Sequence, residues 1–419
     1  MLMPTPSVAR QFPLTPEAEL LVWCARTIVS DDLKTRIRHQ VQASLDWAVV
    51  LAMAEYHGVS HLLHRNLSTI CPNLVPLEPL AHLRKKTQAG ALLNRSLAQE
   101  VITLCEAFQA RGVPVIPIKG ATLAVLAYGD LTLRDFTDLD LLVPEDSVEK
   151  AQVILSALGY DRRSVVAEQS DRHHDHGPHQ VFVKRRTLCR VDLQWVMAHQ
   201  HFAFRLDRPE FWARRVGVAF ANQTVPGLAP EMLLIVLCVH GSKHAWEHLK
   251  WVCDVAEFVR SHPDLGWNQI FVHASTWRCR RMLYLGLSVA HIMLDAPLPA
   301  AVLERLKTDV EVEALAHRMP ASLLSDAHQG ITEEQAGALY FSVKDSWSER
   351  WWLGLSLCRA HSPVAITPPS WCHGGLLLSC LAQIIVPLHR EVKRLLSPRI
   401  RGVINRWFAF IGEALTSRC

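Results

Sequence analysis

The chain has 419 residues, of which 49% are hydrophobic and 20% charged. That is too long for one small core and ordinary for a globular protein, so two or three domains are expected. A formal net charge of +4 gives no argument for nucleic-acid binding, and thirteen Trp point to large buried helical interfaces.

Eleven Cys are scattered, with no CxxC pair and no metal-ligand spacing, which suggests reduced thiols in the cytoplasm. The opening "MLMPTPSVARQF" lacks the basic-then-apolar pattern of an export signal. The longest apolar stretch, Gly374 to Leu388, is broken by Gln383 and Pro387 and is short for a membrane span, so a buried helix is expected there.

Residues from about Pro16 to Leu92 read as helices, "PEAELLVWCARTIV" and "DWAVVLAMAEYHGVSHLLHRNL" among them. "LNRSLAQEVITLCEAFQARG" is an amphipathic helix that Gly112 terminates. "VPVIPIKG" is a short strand, made irregular by Pro114 and Pro117 because each removes a ladder donor. "ATLAVLAY" is a helix closed by Gly129, and "DLDLLV" is a strand. "PEDSVEKAQVILSALG" reads as a helix capped by Asp146 with Glu149 three residues on, ending at Gly159. "HQVFVKRRTLCRVDLQWVM" reads as a hairpin with Lys184, Arg185 and Arg186 near its turn. From Pro230 the pattern is helical again, with "PEMLLIVLCVHGSKHAWEHLKWVCDVAEFVRSH" the strongest run. The expected fold class is α+β: a small mixed sheet flanked by helical regions at both ends and mostly helical overall. The expected divisions are 1–93, an N-terminal helical region; 94–229, an α/β core; and 230–419, a C-terminal helical domain.

A strand alternates its faces, so Asp138 and Asp140 point one way while Leu139 and Leu141 point into the core. In "CRVDLQW", Val191, Leu193 and Trp195 share one face and Arg190, Asp192 and Gln194 the other. If the two strands lie side by side, Asp192 completes a three-carboxylate cluster with Asp138 and Asp140. Such a cluster calls for cations, and two divalent ions about 3.5–4 Å apart would compensate it. Mg²⁺ suits these hard oxygen ligands.

"PVIPIKGATLAVLAYGDLTLRDFTDLDLLVPEDSVEKAQVILSALGY" resembles the core of the bacterial, uncharacterised nucleotidyltransferase family related to DNA polymerase β. The resemblance rests on Lys119-Gly120, Tyr128-Gly129, Arg134 and the run Asp138 to Val143, and it extends over roughly Leu97 to Val259. The strand with Asp192 resembles the family's third-carboxylate strand, and "HGSKHAWEHLKWVCDVAEF" its downstream helical motif. Two positions depart from the pattern. Lys119-Gly120 replaces the Gly-Ser or Gly-Gly pair of the broader superfamily, and Gln194 stands where the family usually has His.

The resemblance implies an ATP-binding or other NTP-dependent transferase that moves an NMP to a hydroxyl or phosphate of an acceptor and releases pyrophosphate. Asp138 and Asp140 would hold the ion that binds the NTP phosphates. Asp192 would complete a second ion's site and favour loss of the acceptor proton. Gly120 would let backbone approach the phosphates, with Lys119 and Arg134 as charge neutralisers; Arg134 could equally serve only to hold Asp135 or Asp138. Lys243 and His244 would line the cleft opposite the carboxylates. The implied acceptor is a small molecule, peptide or glycan rather than nucleic acid.

His240, His244 and His248 recur every four residues, as one helical stripe shared with Trp251. His173, His174, His176 and His179 lie in a loop before the hairpin, at spacings that match no common zinc site, and His176 or His179 could reach the rim of the cleft. Six Lys or Arg between Arg390 and Arg406 read as a solvated helical face, with an RNA or anionic-lipid surface as the alternative. Two further readings remain open: a non-catalytic nucleotide- or metal-binding module of the same fold, and an RNA-directed, toxin-like transferase. Retention of all three carboxylates weighs against the first and the mild charge against the second.

Overall fold

Four helices open the chain, and local polar residues set three of their starts. They are α1 (Pro16–Cys24), α2 (Asp31–Gln42), α3 (Trp47–Tyr56) and α4 (Ser60–Ile70). Thr15, Ser30 and Asp46 each accept a hydrogen bond from a backbone N–H of the first turn that follows. Caps of this kind stabilise a helix by about 1 kcal/mol each. The structure is a computed structural model that describes residues 14–163, 179–195, 209–220, 223–324, 333–346 and 349–350. The histidines at 173, 174 and 176, the apolar run Gly374 to Leu388 and the basic run Arg390 to Arg406 lie outside the described residues.

Helix α5 (Leu77–Ala110) is 34 residues long. It runs without a break through residue 93, where the pattern suggests a new helix; Gly90 lies inside it and does not end it. Gly112, at φ +65°, ends it in the left-handed conformation that glycine adopts without strain.

The next elements are β1 (Ile116–Pro117), α6 (Gly120–Tyr128), β2 (Asp138–Leu142), α7 (Val148–Ala157), β3 (Tyr160–Arg162), β4 (His179–Lys184) and β5 (Arg190–Gln194). They make one mixed sheet in the order β1-β2-β5-β4-β3. β2 and β5 pair parallel and every other neighbouring pair is antiparallel. The expected β4–β5 hairpin forms, with residues 185–187 in its turn. Helix α7 departs from its expected start. A short 3-10 turn, Glu145–Ser147, precedes it, and no side chain caps it. Asp146 accepts a hydrogen bond from the Ser147 hydroxyl instead.

Leu139, Leu141, Val191 and Leu193 on the inner face pack with Val101, Leu104 and Phe108 of α5 and Ile154 and Leu155 of α7. Each such side chain contributes about 1.5–3 kcal/mol by leaving water. A short α8 (Pro209–Ala213) leads to a second hairpin, β6 (Val216–Phe220) and β7 (Gln223–Gly227). It adds Val218, Phe220 and Val225 to the same core.

Helices follow: α9 (Pro230–Lys243), α10 (Leu249–Ser261), α11 (Trp267–Thr276), α12 (Arg280–Leu294), α13 (Ala300–Leu306) and α14 (Val310–Leu324). The run from Pro230 is therefore two helices, not one. Ala245 and Trp246 take φ +52° and +58° between them. That turn closes through Trp246 N–H to the Gly241 carbonyl at 2.8 Å. The Trp246 ring then lies on Gly241, where an added Cβ would sit 2.5 Å from it. All of this belongs to one compact unit, Met1–Ile331. The second unit, Thr332–Cys419, contributes α15 (Glu333–Ser342) to the described residues. No helix among the described residues is long and apolar enough to cross a membrane.

Candidate active site

The parallel pairing of β2 with β5 decides the site. Asp140 lies directly beside Asp192, and Asp138 beside Arg190. Side chains opposite one another in register share a face, so Asp138, Asp140, Arg190 and Asp192 project from the side of the sheet away from its leucine core.

Each carboxylate has a different environment. Asp140 Oδ2 lies 3.1 Å from Lys119 Nζ, with the two side chains 10% and 9% exposed. Its Oδ1 accepts a hydrogen bond from Gln194 Nε2 at 2.5 Å. Asp192 is gripped bidentately by Arg190 at 2.8 and 3.2 Å. Asp138 has no hydrogen bond or ion pair among the described residues. Burial pushes its carboxyl above the usual range, and the charges of Asp140 and Asp192 push it further; Lys119 and Arg190 oppose the shift.

Lys119 stands two residues past β1, immediately before Gly120, which starts α6. Gly120 takes φ +57°, and a Cβ on it would meet the Asp138 carbonyl at 3.4 Å and the Phe136 ring at 3.6 Å. The glycine thus allows a tight strand-to-helix turn against β2, and this turn carries Lys119 over Asp140. No side chain caps α6.

Arg134 is committed elsewhere. Its guanidinium holds Asp254 of α10 through Nε–Oδ1 at 2.7 Å and Nη2–Oδ2 at 2.9 Å. The Tyr128 hydroxyl donates to the same Oδ1 at 2.8 Å, and Asn94 donates to the Leu131 and Arg134 carbonyls. Arg134 therefore pins the loop before β2 to α10 and pairs with neither Asp135 nor Asp138.

A family model described as uncharacterised nucleotidyltransferase matches residues 43–295. The chain belongs to that family. The matched span holds every side chain of the strand-pair site. Among solved structures, the chain is similar to the antibiotic-resistance factor ANT(2″)-Ia in solution, at 15% identity and TM-score 0.33, over 47% of this chain and 98% of that one. It is also similar to the crystal structure of ANT(2″)-Ia in complex with adenylyl-2″-tobramycin, at 14% identity and TM-score 0.32, over 44% and 98% of the two chains. A search of curated proteins finds no match.

The nucleotidyltransferase motif helix α9 reaches the site through His240. Lys119 Nζ lies 3.3 Å from His240 Nδ1 and 3.5 Å from Nε2. His244, one residue past α9, packs edge-on against His240 at 4.6 Å between ring centroids and stacks on Trp251 at 5.0 Å. His248 closes the row against Trp251 and Tyr56. Burial holds His240 and His244 well below the ordinary histidine range, with Lys119 and Lys243 adding to the effect. Burial also pushes His248 down to about 4. These rings are neutral at pH 7. Lys243 lies close enough to both His240 and His244 to depress them. His179 stands at the start of β4, opposite Gln194.

Two concave regions lie away from the carboxylates. One, of about 310 Å³, is lined by His291, Leu303, Glu304 and His317, and the other, of about 190 Å³, by Leu126, Val218, Leu233 and Phe258. Neither carries a row of side chains able to manage a triphosphate, so the strand pair is the better candidate. Among the described residues no three His, Cys, Asp or Glu side chains are grouped as a metal ion requires, and Asp140 and Asp192 are paired with Lys119 and Arg190. The donor set still fits a hard divalent ion. Three acidic side chains share one face, and Asp138 is left uncompensated by any direct partner among the described residues.

His240, Gln194, Arg190 and Asp254 are the residues that sequence reasoning did not assign to the site. Arg190 and Gln194 were visible on the Asp192 face and His240 in the histidine stripe. Nothing local marks Asp254 as the partner of Arg134, 120 residues away.

Proposed function

We propose that this chain transfers a nucleoside monophosphate from an NTP, ATP among the candidates, to a hydroxyl or phosphate of an acceptor, with release of pyrophosphate. The observation that carries the reading is the register that sets Asp140 beside Asp192, with Asp138 on the same face, in a chain of the nucleotidyltransferase family. Asp138, Asp140 and Asp192 would hold Mg²⁺. Bound there, the ion would offset triphosphate charge and ease attack on the α-phosphorus. Asp192, beside Asp140, favours loss of the acceptor proton. Lys119 supplies positive charge at the mouth of α6, and Gly120 keeps that helix start open to a phosphate. Arg134, held by Asp254, fixes the loop that delivers Asp138. His244 and Lys243 support this wall of the cleft from behind His240. The acceptor is proposed to be a small molecule, peptide or glycan.

A non-catalytic binding module of the same fold is the second reading. On its side stands the fact that Lys119 and Arg190 already neutralise two of the three carboxylates. One experiment separates the two. Purified protein is incubated with each α-labelled NTP, Mg²⁺ and a host lysate. Label appearing in an acceptor, with pyrophosphate released, supports transfer. Saturable nucleotide binding with no labelled product under any NTP would leave the binding module.

A further inference from the structure

Lys119 has two partners. Its ammonium is 3.1 Å from Asp140 Oδ2 and nearly equidistant from the two nitrogens of His240, at 3.3 and 3.5 Å. An ammonium placed so evenly is not in line with either nitrogen's lone pair. In the ring plane it would collide with the carbon between the nitrogens, so it rests over the face of the imidazole. A neutral aromatic face attracts a cation. The His240 ring itself makes edge contacts with His244 and Trp251, at 4.6 and 5.7 Å between ring centroids. Lys119 thus sits on a fixed platform, in the position where a cation serving Asp140 would stand.

We propose that Lys119 is the resident counter-cation of Asp140, parked on the His240 ring, and that an arriving divalent ion displaces its ammonium toward the nucleotide's phosphates. This rests on the nucleotidyltransferase reading for the phosphate half of the statement. The physical case is one of compensation. Carboxylates this close and this little exposed need a nearby positive charge at all times. A lysine is suited to the exchange because its flexible stem moves a point charge by several ångströms. Arg190 is a bidentate clamp and is less easily moved. His240 is a positioning residue: it touches no reacting atom and sets where Lys119 waits.

The proposal carries a sign that a merely structural lysine does not. If Lys119 competes with the metal, its removal tightens metal binding. Mn²⁺ affinity is measured without nucleotide, by titration calorimetry or by the loss of free-ion paramagnetic signal. Lys119→Met should bind Mn²⁺ roughly tenfold more tightly than wild type, the scale of losing a competing, largely buried charge. It should bind nucleotide more weakly. His240→Leu removes the ring face and keeps the site apolar, so it should move Mn²⁺ affinity in the same direction by a smaller factor. It keeps the test open if Lys119→Met does not fold. Lys119→Met combined with Asp140→Asn should lose the gain. Unchanged or weaker Mn²⁺ binding in the folded single variants overturns the proposal. Because this titration needs no turnover, its failure beside intact label transfer sinks the counter-cation idea alone. Intact tightening with no label transfer sinks the transfer reading instead.

Discussion

Asp254 and Asp140 each hold a basic side chain at close range, 2.7 Å for Arg134 and 3.1 Å for Lys119, yet the two pairs differ in what is left over. Around Asp254 everything is used. Arg134 is bidentate, Tyr128 donates to the same carboxylate, and the pair is 7% and 2% exposed. Around Asp140 the balance is incomplete. Three carboxylates share a sheet face with two basic side chains, and Asp138 has no direct partner among the described residues. A closed charge cluster holds elements together. One with a spare carboxylate has a remaining capacity for a cation, and that capacity points to a ligand.

The largest effect should come from opening the closed cluster. Asp254→Ala leaves the Arg134 guanidinium buried without its carboxylate and removes the acceptor of Tyr128. Losing one partner of a buried pair costs about 3–5 kcal/mol. Urea unfolding should show that loss, with Asn94 and the Leu131–Arg134 loop released from α10. A variant as stable as wild type would mean the pair is not the clamp described here.

Asp140→Asn tests the other cluster. The isostere retains a partner for Gln194 and relieves repulsion with Asp138, but it leaves the largely buried Lys119 ammonium without its carboxylate, so the melting temperature in metal-free buffer should fall, by less than for Asp254→Ala. Label transfer should fall by about 10²–10³, near 2.7–4 kcal/mol of lost transition-state charge stabilisation. Equal transfer by variant and wild type at matched stability would reduce Asp140 to a polar strand residue.

Between the clusters lies the α9–α10 turn, and Gly241 tests it. An alanine there would place its Cβ 2.5 Å from the Trp246 ring, inside a packed core. Overpacking of this kind costs about 1–3 kcal/mol. The strain should reach His240, the neighbouring residue, so transfer should drop along with stability. A destabilised Gly241→Ala protein with normal transfer would separate the turn from the site.

The sequence made one half of this comparison visible and hid the other. Alternation over Asp138 to Leu142 assigns the carboxylates to one face, because a strand's period is two and the leucines must be buried. The Lys-Gly junction, the hairpin and the ends at Gly112, Gly129 and Gly159 follow from local backbone preference. What escaped depends on distance along the chain or on balance between local rules. Asp254 meets Arg134 only after 120 residues fold back. The β6–β7 hairpin has weak alternation between polar stretches. The break after Lys243 is paid for by burial of Trp246, which outweighs two left-handed non-glycine residues. No helical periodicity reports that trade. Asp146 resembles a cap, but the 3-10 turn leaves it bonded to Ser147.

The smallest expected effect is also the most specific, because its sign depends on pH. Burial raises the Asp138 carboxyl, and the two neighbouring carboxylates raise it further. A group whose folded pKa lies above its unfolded value favours the folded state at low pH and loses that contribution as pH rises through the folded value. Ionised Asp138 therefore costs stability near neutrality when no metal is bound. Asp138→Asn should be more stable than wild type at pH 8 in chelator, because the neutral amide avoids both the burial cost and the repulsion from Asp140 and Asp192. The advantage should shrink as pH falls and vanish below the unfolded aspartate value of about 3.9. Thermal melts of both proteins across that range check the sign. A less stable Asp138→Asn at pH 8 would mean that Asp138 has an attractive partner, and the cluster would then be as closed as the one around Asp254.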